Sequence, residues 1–280
     1  MSQPIEAGNR SFEGNGLRRL LPHNRFLYLN AVLSGIILLY IVLPLLRMVT
    51  QPSLDTLLAT IRDPEVLSSL WLSVYTAGAA AFFSFLFGTP LAYLLARHEF
   101  VGKKLVESII DLPIMIPHPV VGIAILSLAG RNHWLGRAMA EIGLTIMGTV
   151  TGIIAVMTFV GLPFYINAAK AGFEDVPVRL ERVARSLGAG PASAFMRVTV
   201  PLTWRHLLCG VIMCAARAVS EFGAVVIVAY HPMIAPVLIF ERFTAYGLKY
   251  SQPVAVWLIL TCLGLFLLLR LVARPMRRIS

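Results

Sequence analysis

Charged side chains inside long apolar runs are the residues of this chain whose types and spacing could do chemistry. Arg217 and Glu221 lie four residues apart in the run 206–230, a spacing that places them on one face of a helix, where they can pair. An unpaired charge at the centre of a membrane costs at least about 2.5 kcal/mol. The pair is therefore either a structural ion pair that holds helices together or part of the wall or gate of a translocation path. Ser220 could add a weak contact there.

A second polar group lies in the run 108–129. His118 could donate a hydrogen bond to an oxyanion or respond to pH, and a hydrogen-bonded structural histidine is the alternative. Asp111 lies at the inner end of the run, where it could cap backbone amides. Prolines disturb a helix and free carbonyls that need partners, so we expect this run to be kinked and to face other helices or a water-filled path. It contains Pro113, Pro117 and Pro119.

The elements that must position these residues are membrane-spanning helices. Of the 280 residues, 58% are hydrophobic and 14% are charged, whereas a soluble domain has about 25% charged residues. This composition excludes a soluble domain, a disordered protein and a disulfide scaffold. The sequence predicts an all-α polytopic membrane protein with six transmembrane helices, because a span needs about 20 apolar residues. The six runs are 26–49, 68–96, 108–129, 148–171, 206–230 and 253–272.

The basic residues predict the orientation of the spans. With the N-terminus placed inside, seventeen of the 24 Lys and Arg residues fall on the inner side and six outside, which predicts that both termini are cytoplasmic. The charge of +10 is explained in this way, and no nucleic-acid partner is expected. Residues 1–25 are a polar cytoplasmic tail without the apolar segment of a cleaved signal peptide. Three cysteines are interpreted as small apolar residues rather than disulfides or ligands: Cys209, Cys214 and Cys262.

The cytoplasmic loop 172–204 is predicted to carry a short amphipathic helix. Asp175 is its expected N-cap, and Gly188 is expected to end it in a left-handed conformation. Glu181 is spaced to pair with Arg185. An apolar stripe follows helical spacing: Leu180, Val183, Ala184 and Leu187.

A second short helix is expected after Gly190 and is predicted to stop at Pro201. Physical chemistry leaves two interpretations of the amphipathic helix open. It lies flat on the membrane, as basic amphipathic helices do, or it docks into a groove of a soluble partner.

Motifs for catalysis are absent from the sequence. Gly102-Lys103 is followed by Lys104, so no phosphate-binding loop is present and the chain is not expected to hydrolyse ATP. No catalytic residues, metal ligands or bound cofactor are predicted. A membrane-embedded enzyme would need a polar constellation that is missing. A secondary transporter coupled to ions through the intramembrane charges stays as an alternative, although the matching broken helices of that class are not found.

The stretch 180–188, followed by Val200-Pro201-Leu202, resembles the EAA loop of ABC importer permeases. Glu181, Ala184, Gly188 and Pro201 match that pattern, and Arg185 lies within it, whereas Arg182 and Val183 replace its usual alanines. The resemblance covers about residues 66–272. It implies a type I importer core with 26–49 as an extra helix. It also implies that this coupling loop sits in a cleft of a separate ATPase subunit.

Three further runs resemble the molybdate/tungstate permeases: 111–118, 217–224 and 230–236. Sulfate permeases share the Arg-Ala-x-x-Glu-x-Gly stretch, so a sulfate or other oxyanion permease is the alternative. The resemblance implies import by alternating access in the cytoplasmic (inner) membrane, driven by ATP on the partner chain. It also implies a second copy of this chain and an external substrate-binding protein. That protein would dock on 50–66, 130–147 and 231–250.

Overall fold

The protein is built from α-helices, and its computed structural model describes residues 25–272. No strand occurs in that range, which confirms the all-α prediction. Residues 1–24 of the predicted tail lie outside the described residues. The described helices are α1 (Arg25–Thr50), α2 (Leu54–Arg62), α3 (Pro64–Arg97), α4 (Lys103–Met115), α5 (His118–Ala129), α6 (Trp134–Glu141), α7 (Val150–Asp175), α8 (Val178–Ser186), α9 (Pro191–Ala194), α10 (Val200–Val219), α11 (Val225–Val228), α12 (Ala235–Tyr246) and α13 (Leu248–Val272); a π-helical turn, Phe195–Thr199, joins α9 to α10.

The first helix belongs to a unit of its own, which ends at Gln51, and the second unit begins at Pro52. With 26 residues, α1 is about 39 Å long, enough to cross a hydrocarbon core of about 30 Å. Its most apolar stretch buries no residue within the chain. A helix that is apolar on all sides needs lipid or protein around it.

Local capping fixes where the long helices of the second unit begin. The Asp63 carboxylate accepts a hydrogen bond from the Glu65 backbone N–H at 2.9 Å, and Pro64 occupies the first position of α3. Thr149 caps α7 in the same way, since its hydroxyl accepts from the Gly152 N–H at 3.2 Å. These caps satisfy amides that a helix start leaves without an intrahelical partner.

Helices α3, α7 and α10 form the core of the second unit. The buried side of α3 carries small residues at helical spacing, which lets neighbouring helices approach closely. Aromatic residues of α7 fill the half of this core that lies nearer α8, where Tyr165 and Phe173 are fully buried. The small residues of α3 are Ala77, Ala80, Ala81 and Ser84.

Five helices of the described chain are long and apolar enough to span a membrane, and the pair α4–α5 would make a sixth. The predicted third run is therefore not one helix. Its two halves are bent by 115°, because Pro117 removes a backbone donor where the second half begins. The predicted kink at the prolines is confirmed, and it is a full break.

The predicted fifth run is also not continuous, because α10 ends at Val219 and the short α11 follows after a turn. The prediction that Pro201 stops the second cytoplasmic helix is wrong. Pro201 lies in the first turn of α10, where a missing N–H is tolerated. The helical stretch Pro191–Val219 continues past it through the π-helical turn.

At the end of the unit opposite α8, the short helices α2 and α12 pack against the starts of α3 and α13. Arg242 on α12 pairs with Asp63 and, at 3.1 Å, with Glu65. The hydrogen bond and charge of Arg242 lower the pKa of Asp63 despite its partial burial. Trp257 of α13 donates to the Leu57 carbonyl of α2 at 2.9 Å, so the four helices are joined at this end.

Candidate functional site

The loop 172–204 is held by one carboxylate that points toward the spanning helices. Glu181 of α8 accepts hydrogen bonds from Arg97 Nε at 3.0 Å and Arg97 Nη2 at 2.7 Å. It also accepts from the Tyr93 hydroxyl and the Thr199 hydroxyl, each at 2.8 Å. We call these four residues, Tyr93, Arg97, Glu181 and Thr199, the Glu181 anchor. The anchor connects α8 to the last turns of α3 and to the π-helical turn.

The Glu181 anchor is largely shielded from water. The side chains of Arg97 and Glu181 are 6% and 12% exposed. Burial raises the pKa of Glu181, but the hydrogen bonds from Tyr93, Thr199 and Arg97, with the charge of Arg97, outweigh it and hold this pKa below the ordinary value. Glu181 is therefore charged at neutral pH, and each carboxylate oxygen has a donor.

Aromatic packing supports the anchor from below. The Tyr93 ring contacts Phe173 of α7 and Phe195 of the π-helical turn, with centroids 5.5 and 4.8 Å apart and edge-to-face geometry. Such pairs add about 0.5–1.5 kcal/mol beyond their buried area. These rings thus pack the ends of α3 and α7 against the π-helical turn, next to α8.

Three predictions about this loop have different outcomes. Gly188 has φ +93°, which confirms the left-handed end of α8. The predicted pair of Glu181 with Arg185 is wrong, since Glu181 faces Arg97 and Arg185 is exposed. The predicted N-cap is wrong too, because α7 continues through Asp175 and α8 begins at Val178.

The face of α8 that points away from the Glu181 anchor, which we call its outer face, is not covered by the described chain. The predicted apolar stripe is solvent-facing, with Ala184 half-buried and Leu187 83% exposed. Exposed arginines alternate with the stripe along the sequence. The exposed apolar residues are Val178, Leu180, Val183 and Leu187, and the exposed arginines are Arg179, Arg182 and Arg185.

A second polar site lies where both broken segments meet. Arg217, in the last turn of α10, donates from Nη2 to Glu221 Oε2 at 2.8 Å. The same nitrogen lies 3.0 and 2.8 Å from Nδ1 and Nε2 of His118, the first residue of α5. Ser220 Oγ is 3.4 Å from Nη1 of Arg217. We call His118, Arg217, Ser220 and Glu221 the Arg217 cluster. Four of the five predicted pathway residues are thus brought together.

Glycines let the two broken segments approach each other. A Cβ on Gly223 would lie 2.9 Å from the His118 Cβ, and one on Gly122 would lie 2.8 Å from the Ala224 carbonyl oxygen. The turn after α10 therefore packs directly on the start of α5, and Glu221 is placed by a hydrogen bond from the Ala224 N–H at 2.9 Å. The Glu221 side chain is 1% exposed.

Asp111 does not belong to the Arg217 cluster. It accepts a hydrogen bond from the Asn167 side chain at 2.7 Å, so it ties α4 to α7 rather than capping amides. Lys170 of α7 makes a parallel contact with Glu107 of α4 at 2.6 Å. The predicted role of Asp111 as a capping group is therefore wrong.

Sequence reasoning missed the partners of Glu181. Arg97 ends the second apolar run, and a buried basic residue at such a position requires a counter-charge; this was the available signal. Tyr93 and Thr199 carried no signal, because their hydroxyls are ordinary for a span and a loop. In the described part of the chain, no group of three or more His, Cys, Asp or Glu could hold a metal ion.

Comparison with known proteins assigns this architecture to a family. Residues 88–279 match the family described as binding-protein-dependent transport system inner membrane component. The molybdate/tungstate transport system permease protein WtpB of Pyrococcus abyssi is 44% identical over 87% of this chain and 94% of its own length. The sulfate transport system permease protein CysT of Synechocystis is 31% identical over 86% and 87%.

Among solved structures, a bacterial ABC transporter involved in the import of the acidic polysaccharide alginate superposes with a TM-score of 0.69. The superposition covers 90% of this chain and 96% of the matched chain at 17% identity, and this likeness supports the type I importer fold. A family match over more than half of the chain and close relatives along most of it agree with five long spans and a bent pair. The chain therefore belongs to the inner-membrane permease components of binding-protein-dependent ABC importers.

Proposed function

We propose that this permease imports molybdate or tungstate. The observation that carries the proposal is the 44% identity to a molybdate/tungstate permease along 87% of the chain, against 31% to a sulfate permease over a similar length. The Arg217 cluster supports an oxyanion substrate, since it places a guanidinium beside polar groups within the membrane part of the fold.

We infer that a separate ATPase subunit binds the outer face of α8 and drives transport. Four apolar side chains that are between 38% and 83% exposed need a covering partner in the assembled protein. Their alternation with arginines suits helix-in-groove docking. This role includes the predicted coupling residues Ala184, Arg185 and Gly188, which lie on or beside that face, and Pro201 begins the span that follows.

The Glu181 anchor connects the docking face of α8 to the spanning helices. A displacement of α8 acts on Arg97 and Tyr93, at the end of the 34-residue α3, and on Thr199, next to α10. The charge-assisted contacts make α8 and these helix ends move together. We infer alternating access in which ATP-driven approach of two ATPase subunits moves α3 and α10.

The remaining assembly follows the same scheme. We infer that both termini are cytoplasmic and that a second copy of this chain completes the path. The proposed parts of this chain are the tail 1–25, the extra helix 26–49, the importer core 66–272 and the coupling loop 172–204. The external binding protein would dock at the end formed by α2, α6 and α12. A crevice of about 530 Å³ there is lined by Arg131, Arg137 and Glu141, among others.

Uptake into proteoliposomes tests this function. The chain is reconstituted with its ATPase and binding protein, and molybdenum and tungsten inside the vesicles are counted by elemental mass spectrometry. We expect ATP-dependent uptake that excess sulfate does not reduce. Uptake abolished by sulfate would make this a sulfate permease, and uptake driven by an ion gradient without the ATPase would make it a secondary transporter.

A further inference from the structure

We propose that Arg217 binds the transported oxyanion transiently and that Glu221 is its resident counter-ion, which the oxyanion displaces while it passes. The inference rests on the proposed function and deepens it, because it names the side chain that contacts the substrate. The ligand class is a tetrahedral dianion such as molybdate or tungstate.

The two terminal nitrogens of Arg217 have different surroundings. Nη2 donates to Glu221 at 2.8 Å and lies within 3.0 Å of both ring nitrogens of His118, so this nitrogen is surrounded by polar groups. Nη1 faces the Ser220 hydroxyl at 3.4 Å, a long contact for a hydrogen bond. That hydroxyl donates to the Arg217 carbonyl at 3.0 Å. One edge of the guanidinium is thus held, and the other has donor capacity left.

Exposure rises from the carboxylate outward. The side chain of Glu221 is 1% exposed, that of Arg217 is 20% exposed and that of His118 is 39% exposed, and Ser220 is exposed. An anion that approaches from the exposed side therefore meets His118, Ser220 and Arg217 before it meets Glu221. A guanidinium offers parallel N–H donors that fit two oxygens of an oxyanion.

Glu221 keeps one hydrogen bond of its own when Arg217 turns to the oxyanion. Its Oε1 accepts the Ala224 N–H at 2.9 Å, a bond that does not involve Arg217. The close approach of Gly223 to His118 holds this turn against α5. Arg217 can therefore exchange one anionic partner for another while Glu221 stays in place.

The competing carboxylate has a functional consequence. An arginine without a counter-charge would hold a dianion strongly and delay its release into the cytoplasm. A resident carboxylate 2.8 Å away lowers the net gain of binding, since the anion replaces an existing charge-assisted bond rather than adding one. The site then favours passage over retention. The rival interpretation is that the cluster only joins α5, α10 and α11.

The test measures both uptake and retention. The full chain with its ATPase, without binding protein, is purified as wild type, Glu221→Gln and the double variant Arg217→Gln/Glu221→Gln. Each sample is equilibrated with molybdate or with tungstate, and bound metal is counted by elemental mass spectrometry. Uptake is then measured in proteoliposomes with the binding protein. The double variant keeps the cluster electrically neutral, so it tests function without an unpaired charge.

We expect Glu221→Gln to retain about tenfold to hundredfold more oxyanion than wild type, and to import at least about tenfold more slowly. The double variant should retain no more than wild type and also import slowly. Equal retention by wild type and Glu221→Gln, or wild-type uptake by the double variant, would overturn the inference and leave a structural role. A wild type that imports neither molybdate nor tungstate would instead overturn the proposed function, and the inference with it.

Asp63→Asn/Glu65→Gln is the matched control. It removes both carboxylates from Arg242, whose side chain is 17% exposed, close to the exposure of Arg217. Retention should stay at the wild-type level, because Arg242 lies on α12 beside the start of α3 and does not belong to the Arg217 cluster. A rise equal to that of Glu221→Gln would mean that any arginine freed of its carboxylate binds the anion, which would overturn the assignment of Arg217.

Discussion

Glu181 and Glu221 are two carboxylates with similar burial and different surroundings. Both accept hydrogen bonds from an arginine, and their side chains are 12% and 1% exposed. The partners of Glu181 come from 84 and 88 residues earlier in the chain and from 18 residues later. The arginine of Glu221 is four residues away, on the preceding helical turn.

This difference separates two mechanical roles. The Glu181 anchor connects elements that are remote in sequence and meets a regular, continuous α3. It is therefore suited to transmit a displacement as a rigid joint. The Arg217 cluster neutralises charge within one helical turn and reaches a remote element only through the His118 ring, at a place where α10 has ended and α5 has just begun. Its backbone is interrupted on both sides, so it is suited to rearrange. The free energy of unfolding distinguishes the two regions most directly.

Arg97→Gln should have the largest effect. It leaves Glu181 in place with its charge uncompensated, and breaking a buried pair in this way costs about 3 kcal/mol. The expected fall in the thermal midpoint of the purified chain in detergent is about 6–12 °C. Arg185→Gln is the control, because Arg185 is exposed and should change stability by less than about 0.5 kcal/mol. A larger loss from Arg185→Gln would restore the pair that the sequence predicted.

Gly223→Ala should have the next largest effect and acts on the other region. The new Cβ would lie 2.9 Å from the His118 Cβ and 3.2 Å from the Pro119 Cδ, so the turn after α10 must shift away from α5. Such overpacking costs about 1–3 kcal/mol, measured as the change in thermal midpoint. Gly78→Ala, where no atom lies within 4 Å of the added carbon, should instead be neutral or stabilising. Equal effects of both variants would refute the close contact at Gly223.

The sequence predicted the helices well and their interruptions poorly. Apolar runs identify spans because lipid requires them, and the three prolines in 108–129 marked the break between α4 and α5. The run 206–230 becomes apolar again after Ser220 and Glu221, so hydropathy averaged over a span does not reveal that α10 ends at Val219. The residue that marks this end of α10 is Gly223, because an added Cβ there would lie 2.9 Å from the His118 Cβ.

The partner of Glu181 could not be chosen from local spacing. An exposed pair four residues apart contributes about 0.3–0.5 kcal/mol, and this contribution is easily outweighed by a buried carboxylate with several donors. Those donors, on Arg97, Tyr93 and Thr199, are brought to Glu181 by the packing of α3 against α7 and α10. Such long-range placement leaves no periodic trace, whereas Arg217 and Glu221 are neighbours on one turn and were predictable as a pair.

The pH dependence of stability distinguishes the anchor further. The folded chain holds the pKa of Glu181 below its ordinary value of 4.5, so the unfolded chain takes up this proton at a higher pH. The stabilisation by Glu181 is then fully present above the unfolded value and is lost as pH falls through the folded pKa. The difference in thermal midpoint between wild type and Glu181→Gln should be constant from about pH 8 to about pH 5, and should shrink below about pH 4. A difference that shrinks already above about pH 5 would contradict the lowered pKa.

Leu187→Ser should have the smallest effect on the chain itself and tests what the anchor presents to a partner. Leu187 is 83% exposed, so the free energy of unfolding should change by less than about 0.5 kcal/mol. If the outer face of α8 docks into an ATPase, losing its most exposed apolar side chain should weaken the affinity about tenfold. Light-scattering or surface-binding titration of the reconstituted chain with the ATPase measures this. Leu54→Ser, 77% exposed on α2 at the opposite end, should leave the affinity unchanged. Unchanged affinity in Leu187→Ser would favour the other interpretation of the amphipathic helix, in which its apolar face lies on the membrane surface. The Glu181 anchor would then hold α8 against lipid instead of connecting it to a motor.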